Sequence, residues 1–123
     1  MKFYVNAAKN QVFELVEDNG EFQSAGFELL TPNSTDAAGE KHVPAVTVDG
    51  DKVHVVVGEV LHPHTEEHYI GFIVVKTGDL VQRVKLEHTQ EPKASFNIGS
   101  YKGEVEVFEW CNLHGLWTKT VTV

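Results

Sequence analysis

The chain has 123 residues, a formal net charge of −8, seven histidines and a single cysteine, Cys111. The length suits one domain with a small appendage. The acidic balance excludes phosphate-backbone binding as a main task, because that needs a basic surface. One cysteine excludes an intrachain disulfide, and no apolar run approaches the roughly 20 residues of a membrane helix. Met1-Lys2-Phe3-Tyr4-Val5-Asn6 turns polar too early for a secretory signal, and a lone thiol suits a reducing cytoplasm.

In chain order, residues 2–6 and 11–16 predict a small β-hairpin turning through Ala8-Lys9-Asn10. A polar stretch follows, Thr31-Pro32-Asn33-Ser34-Thr35-Asp36-Ala37-Ala38-Gly39, which reads as a linker. It places a boundary near Thr35 and divides the chain into a short N-terminal module, residues 1–34, and a main domain, residues 35–123. Seven strand-like runs then follow, at 43–48, 52–57, 69–76, 80–86, 94–98, 104–110 and 117–123. They are rich in valine, isoleucine and aromatic residues. Val53, Val55 and Val57 share one face of their run, and Val105 and Val107 alternate with Glu104 and Glu106. This phase breaks at Phe108, since Glu109 falls on the valine side, and a β-bulge or a strand leaving the sheet would account for it. Asp49-Gly50 and Thr77-Gly78-Asp79 read as hairpin turns. The pattern predicts an all-β chain, an antiparallel β-sandwich of immunoglobulin-like type with the N-terminal hairpin attached, and a barrel is the alternative.

Three segments at strand ends and in loops carry the chemistry. They are Glu40-Lys41-His42-Val43-Pro44, His62-Pro63-His64-Thr65-Glu66-Glu67-His68-Tyr69 and Cys111-Asn112-Leu113-His114-Gly115-Leu116-Trp117. Each is weak by itself. Together they offer one soft sulfur and at least four imidazoles, which points to iron, copper or zinc rather than calcium or magnesium.

Taken in order, the segments resemble the signature of the superoxide reductase family, which includes desulfoferrodoxin and neelaredoxin: Glu-Lys-His-x-Pro, His-Pro-x-x-x-x-His and Cys-Asn-x-His-Gly-x-Trp. The resemblance runs from about Ser34 to Val123. It implies one mononuclear iron held equatorially by His42, His62, His68 and His114, with Cys111 as the axial ligand. It implies that Glu40 binds the oxidised iron and that Lys41 is a cation beside the open position. The implied activity is reduction of superoxide to hydrogen peroxide, with rubredoxin or a similar small carrier as electron donor. A homodimer follows by analogy with relatives that carry the N-terminal module. That module resembles a desulforedoxin-like hairpin without its metal, because Asn6 and Lys9 stand where its first cysteine pair is expected and the second pair is missing around residues 22–25.

Plainer readings compete at each position. An isolated buried cysteine is usually an inert apolar thiol, and solvated charge at a loop end is the competing reading for Glu40 and Lys41, weighed below the functional one. His54 is read as solvent-facing, His64 as exposed between ligand positions, and His88 as a strand-end residue. Trp110, Trp117 and Tyr69 are read as bulk around the metal site. A blue-copper electron carrier is the rival function, yet it wants two histidines, a cysteine and usually an axial methionine, and the only methionine is Met1. A structural zinc site closes at four ligands, and this chain offers five.

Overall fold

Short β-branched and aromatic runs bounded by turns leave the backbone little choice but strands. The computed structural model, which describes residues 1–20, 22–23 and 25–123, shows ten strands and one short helix among them. Contacts divide the chain into two units, Met1–Thr31 and Pro32–Val123.

In the first unit, β1 (Phe3–Asn6), β2 (Val12–Glu14) and β3 (Phe27–Leu29) form an antiparallel sheet in the order β2-β1-β3. The expected hairpin is there, and β3 joins it as a strand that the sequence pattern did not announce. Tyr4 pairs with Phe13 on one side and Leu29 on the other. The turn after β1 is organised by one side chain. Asn6 Oδ1 accepts the backbone N–H groups of Asn10 and Gln11 at 3.0 and 2.9 Å, while its Nδ2 donates to Asn10 Oδ1 at 2.8 Å. Ser24, in the stretch where a second cysteine pair is expected, lies outside the described residues.

In the second unit, α1 (Gly39–His42) leads into β4 (Pro44–Asp49), β5 (Lys52–Val57), β6 (Ile70–Thr77), β7 (Leu80–Lys85), β8 (Lys93–Asn97), β9 (Glu104–Cys111) and β10 (Gly115–Thr122). They form two separate antiparallel sheets, β10-β9-β6-β7 and β4-β5-β8, so the fold is a sandwich and not a barrel. Val53, Val55, Val57 and Phe96 from one sheet, Ile98 just past the end of β8, and Ile73, Val75, Val105 and Val107 from the other sheet make one buried cluster. Each such side chain contributes roughly 1.5–3 kcal/mol relative to exposure. The expected hairpin turns close β4 on β5 and β6 on β7. No helix among the described residues is long and apolar enough to cross a membrane.

The phase break in β9 has a different cause from a bulge at Phe108. The β9–β10 ladder is regular from Glu104 to Cys111, and Glu109 does lie on the valine side, wholly buried. Phe108 and Trp110 on the opposite face are also buried, at 5% and 8% exposure. The alternation therefore persists while its polar face disappears. The irregularity sits instead on the neighbouring strand, between Ile70 and Phe72. There a Cβ on Gly71 would meet the Trp110 ring at 2.9 Å, so a glycine lets the indole lie against the backbone.

Candidate metal centre

The strand order brings one end of the sandwich together: the start of β4, the end of β5, the start of β6, the end of β9 and the start of β10. His42 closes α1 just ahead of β4, His62 and His68 lie in the β5–β6 connection, Cys111 ends β9, and His114 lies in the turn to β10. Loops held by a rigid sandwich are where sites are usually built.

Local hydrogen bonds fix each loop. Thr65 N donates to the His68 carbonyl at 2.8 Å and His68 N to Thr65 Oγ1 at 3.1 Å, which turns the chain tightly before His68. Asn112 then ties the loop carrying His68 to the one carrying Cys111 and His114. Its Nδ2 donates to the Glu67 carbonyl at 2.9 Å, its Oδ1 accepts Tyr69 N at 2.9 Å, and its own N–H donates to the Tyr69 carbonyl at 3.2 Å. In the sequence Asn112 is a position of the third segment's pattern with no role assigned, and its bridging role appears with the fold. Trp117 Nε1 and Thr35 Oγ1 both donate to the His114 carbonyl, at 3.1 and 2.5 Å.

The side chains converge. One donor atom each from His42, His62, His68 and Cys111 lies within 4.8 Å of the others. His114 joins them, with Nδ1 3.0 Å from His42 Nε2 and 3.9 Å from Cys111 Sγ. His62 Nε2 stands 3.2 Å from His42 Nε2 and 3.5 Å from Sγ. Tautomers follow from the outer contacts. His42 Nδ1 faces the Ala38 carbonyl at 2.8 Å and His62 Nδ1 the Pro63 carbonyl at 2.5 Å. Each Nδ1–H donates there, which leaves the Nε2 lone pair aimed inward. The arrangement thus uses Nε2 of His42 and His62 and Nδ1 of His114. His42 lies at the middle, its ring 4.7 Å from that of His62, 4.8 Å from that of His114 and stacked on Trp117 at 4.9 Å.

Electrostatics agree with a cation between these groups. Burial, then the neighbouring imidazoles, push the His62 pKa down to about 4. Burial likewise lowers His42 and His68. These three rings are neutral at pH 7, as metal ligands must be. Burial pushes the Cys111 thiol up to about 11, against the opposing backbone N–H groups of Leu113 and His114. A bare thiol there keeps its proton, and a metal would displace it. His68 Nε2 is buried with no hydrogen-bond partner. Facing lone pairs, an orphaned ring nitrogen and a soft sulfur fit a transition metal.

Glu40 and Lys41 are both exposed on α1. The Lys41 charge acts on His42 and His68, and that of Glu40 on His42. His54 lies on the outer side of β5 and contacts Ser95 Oγ at 2.7 Å. His64 departs from its expected exposure. It is half-buried, with Nδ1 against the Gln90 carbonyl and Nε2 3.2 Å from the Ile70 carbonyl, so it clips the ligand loop to its neighbours. His88 lies in a turn outside the cluster. The sequence reading missed the character of Glu109. It is two residues before Cys111 on the same strand face, fully buried, with neither carboxyl oxygen hydrogen-bonded, and burial raises its pKa well above the usual range. The signal was present as a glutamate on the valine side.

The desulfoferrodoxin family profile matches residues 34–120. A desulfoferrodoxin of Clostridium acetobutylicum is 38% identical over 121 residues, covering 95% of this chain and 94% of its own length. A superoxide reductase of Thermococcus kodakarensis is 40% identical over 110 residues, covering 76% of this chain and 96% of its own. The crystal structure of the superoxide reductase from Treponema pallidum superposes with a TM-score of 0.75 at 32% identity, over 95% of this chain and 98% of that one. By profile, sequence and fold, the chain belongs to the desulfoferrodoxin family, among the oxidoreductases named superoxide reductases.

Proposed function

We propose that the chain is a superoxide reductase that takes one superoxide, one electron and two protons to one hydrogen peroxide at a single iron. The convergence of His42, His62, His68, His114 and Cys111 at one end of the sandwich carries this reading. When bound, ferrous iron would supply the electron, and the four imidazoles and the thiolate would be the groups that hold it. The chain's own residues do the rest. His42, His62 and His68, neutral before binding, add no charge, and Cys111, once deprotonated, would donate electron density to the iron. Leu113 and His114 N–H groups at Sγ moderate that donation. Lys41 draws the anion by a local positive charge, which outweighs distant carboxylates because charges beyond about 10 Å are largely screened at physiological salt. Glu40, two residues before His42, offers a hard oxygen ligand suited to the ferric state.

The remaining parts of the reading rest on resemblance. The electron donor is a rubredoxin or a similar small carrier, the protein works in the cytoplasm, and it assembles as a homodimer. The first unit is a module of desulforedoxin type that binds no metal. The Asn6 carboxamide supports this, since it organises the turn where a first cysteine is expected. A copper electron carrier is disfavoured, because four imidazoles surround the sulfur and no methionine stands near it in sequence. Metal analysis with visible spectroscopy tests the reading. We expect one iron per chain and a sulfur-to-iron band in the oxidised protein that vanishes in Cys111→Ser. A band that survives the substitution removes Cys111 from the site.

A further inference from the structure

Gly58 follows β5, and its φ of +85° lies where side chains are rarely found. The conformation alone would explain a glycine. The surroundings add something independent. A Cβ built there would lie 2.4 Å from the Val60 carbonyl oxygen and 2.7 Å from both the carbonyl carbon and oxygen of Lys41. These are backbone atoms, so no side chain can rotate out of the way. Two residues on, Val60 N–H donates to the Glu40 carbonyl at 2.9 Å. The turn therefore grips α1 twice, once by a hydrogen bond to Glu40 and once by direct seating of the Lys41 peptide on Gly58. The same turn leads into His62, whose N–H donates to the Val57 carbonyl at 3.3 Å.

We infer that Gly58 is a positioning residue that seats α1, and so fixes where Lys41 and Glu40 stand relative to the metal centre. The inference deepens the reading above and rests on it for the roles of those two residues. Substituting alanine forces the Lys41 peptide back by roughly 0.7 Å to reach ordinary contact of about 3.4 Å. Displacements near 1 Å at such sites change rates by up to about 100-fold.

The test compares two substitutions with the same backbone strain. Gly26 has the same φ of +85°, but among the described residues no atom lies within 4 Å of an added Cβ. With iron-loaded protein, Gly58→Ala should speed hydrogen exchange of the Val60 amide about tenfold or more. It should also shift the visible spectrum of the oxidised form and weaken the ionic-strength dependence of the reaction with superoxide. Gly26→Ala should leave all three unchanged. Identical behaviour of the two variants would overturn the inference. If Gly58→Ala does not fold, the Val60 amide of the unsubstituted iron form decides. Protection of about tenfold or more over a free peptide amide supports the clamp, and free exchange refutes it. If the unsubstituted protein does not consume superoxide, the proposed function fails, while the exchange and spectral results still decide the clamp.

Discussion

Glu109 gives the sharpest stability prediction. Its carboxyl is fully buried, both oxygens lack partners, and its cross-strand neighbours are Ile73 and Trp117. Burial raises its pKa well above 4.5, so the folded metal-free protein holds it as a neutral acid. The unfolded chain ionises it normally. Below pH 4.5 both states carry the proton, and the group contributes no pH dependence. Above that, only the unfolded state releases it, and stability falls by up to about 1.4 kcal/mol per pH unit while the folded carboxyl stays protonated. Glu109→Gln keeps the shape and removes the titration. The stability of the variant minus that of the parent should therefore grow between pH 5 and pH 7, by no more than about 1.4 kcal/mol per pH unit. Urea titration of both metal-free proteins at these two pH values measures it, and the histidine contributions cancel in the difference. Parallel pH profiles would show that the carboxyl is ionised or partnered in the fold, and the reasoning fails.

Four further outcomes are expected. Loading metal at pH 7 should release about one proton per ion, because the Cys111 pKa is about 11 in the metal-free protein while His42, His62 and His68 are already neutral; an indicator dye in weak buffer reads it, and Cys111→Ser should release none. Lys41→Ala should slow capture of superoxide several-fold and flatten its salt dependence, whereas Glu40→Ala should alter only the oxidised spectrum; pulse radiolysis showing equal slowing would undo that division. Asn6→Ala removes acceptors for two backbone N–H groups and should cost about 2 kcal/mol of local stability, read as faster exchange of the Asn10 and Gln11 amides with iron content intact. Removing residues 1–31 should also leave the metal content unchanged, since all five converging side chains lie in the unit Pro32–Val123; elemental analysis after purification checks it.

What the sequence made legible and what it hid separate along physical lines. The strands of the sandwich were readable because each is long enough for alternation to register against its turns. The three-residue β3 and the four-residue α1 are too short for any period to show. α1 exists because tertiary contacts seat it, through Val60 on Glu40 and Gly58 on Lys41. The side chains that converge were legible because their chemical types are rare and their order is distinctive. Their tautomers were not, since these depend on the Ala38 and Pro63 carbonyls that only the folded loops present.

Glu109 shows how a correct pattern can be misread. The alternation in β9 placed it inward, and the instinct that a carboxylate belongs in water suggested a bulge instead. The ladder keeps its register. Val105, Val107, Glu109 and Cys111 run down one inner face, and the carboxyl lies on the line that ends at the sulfur. A carboxyl buried without partners costs about 1–3 kcal/mol in comparable cases, and local rules broken at such cost are expected at functional sites. A negative charge on Glu109 raises the thiol pKa. The fold therefore keeps it neutral beside the one group that must become an anion when metal binds. A residue held this way spares the thiolate a second charge, and substitution by glutamine should preserve metal binding where aspartate, shorter and ill-fitting, should weaken it.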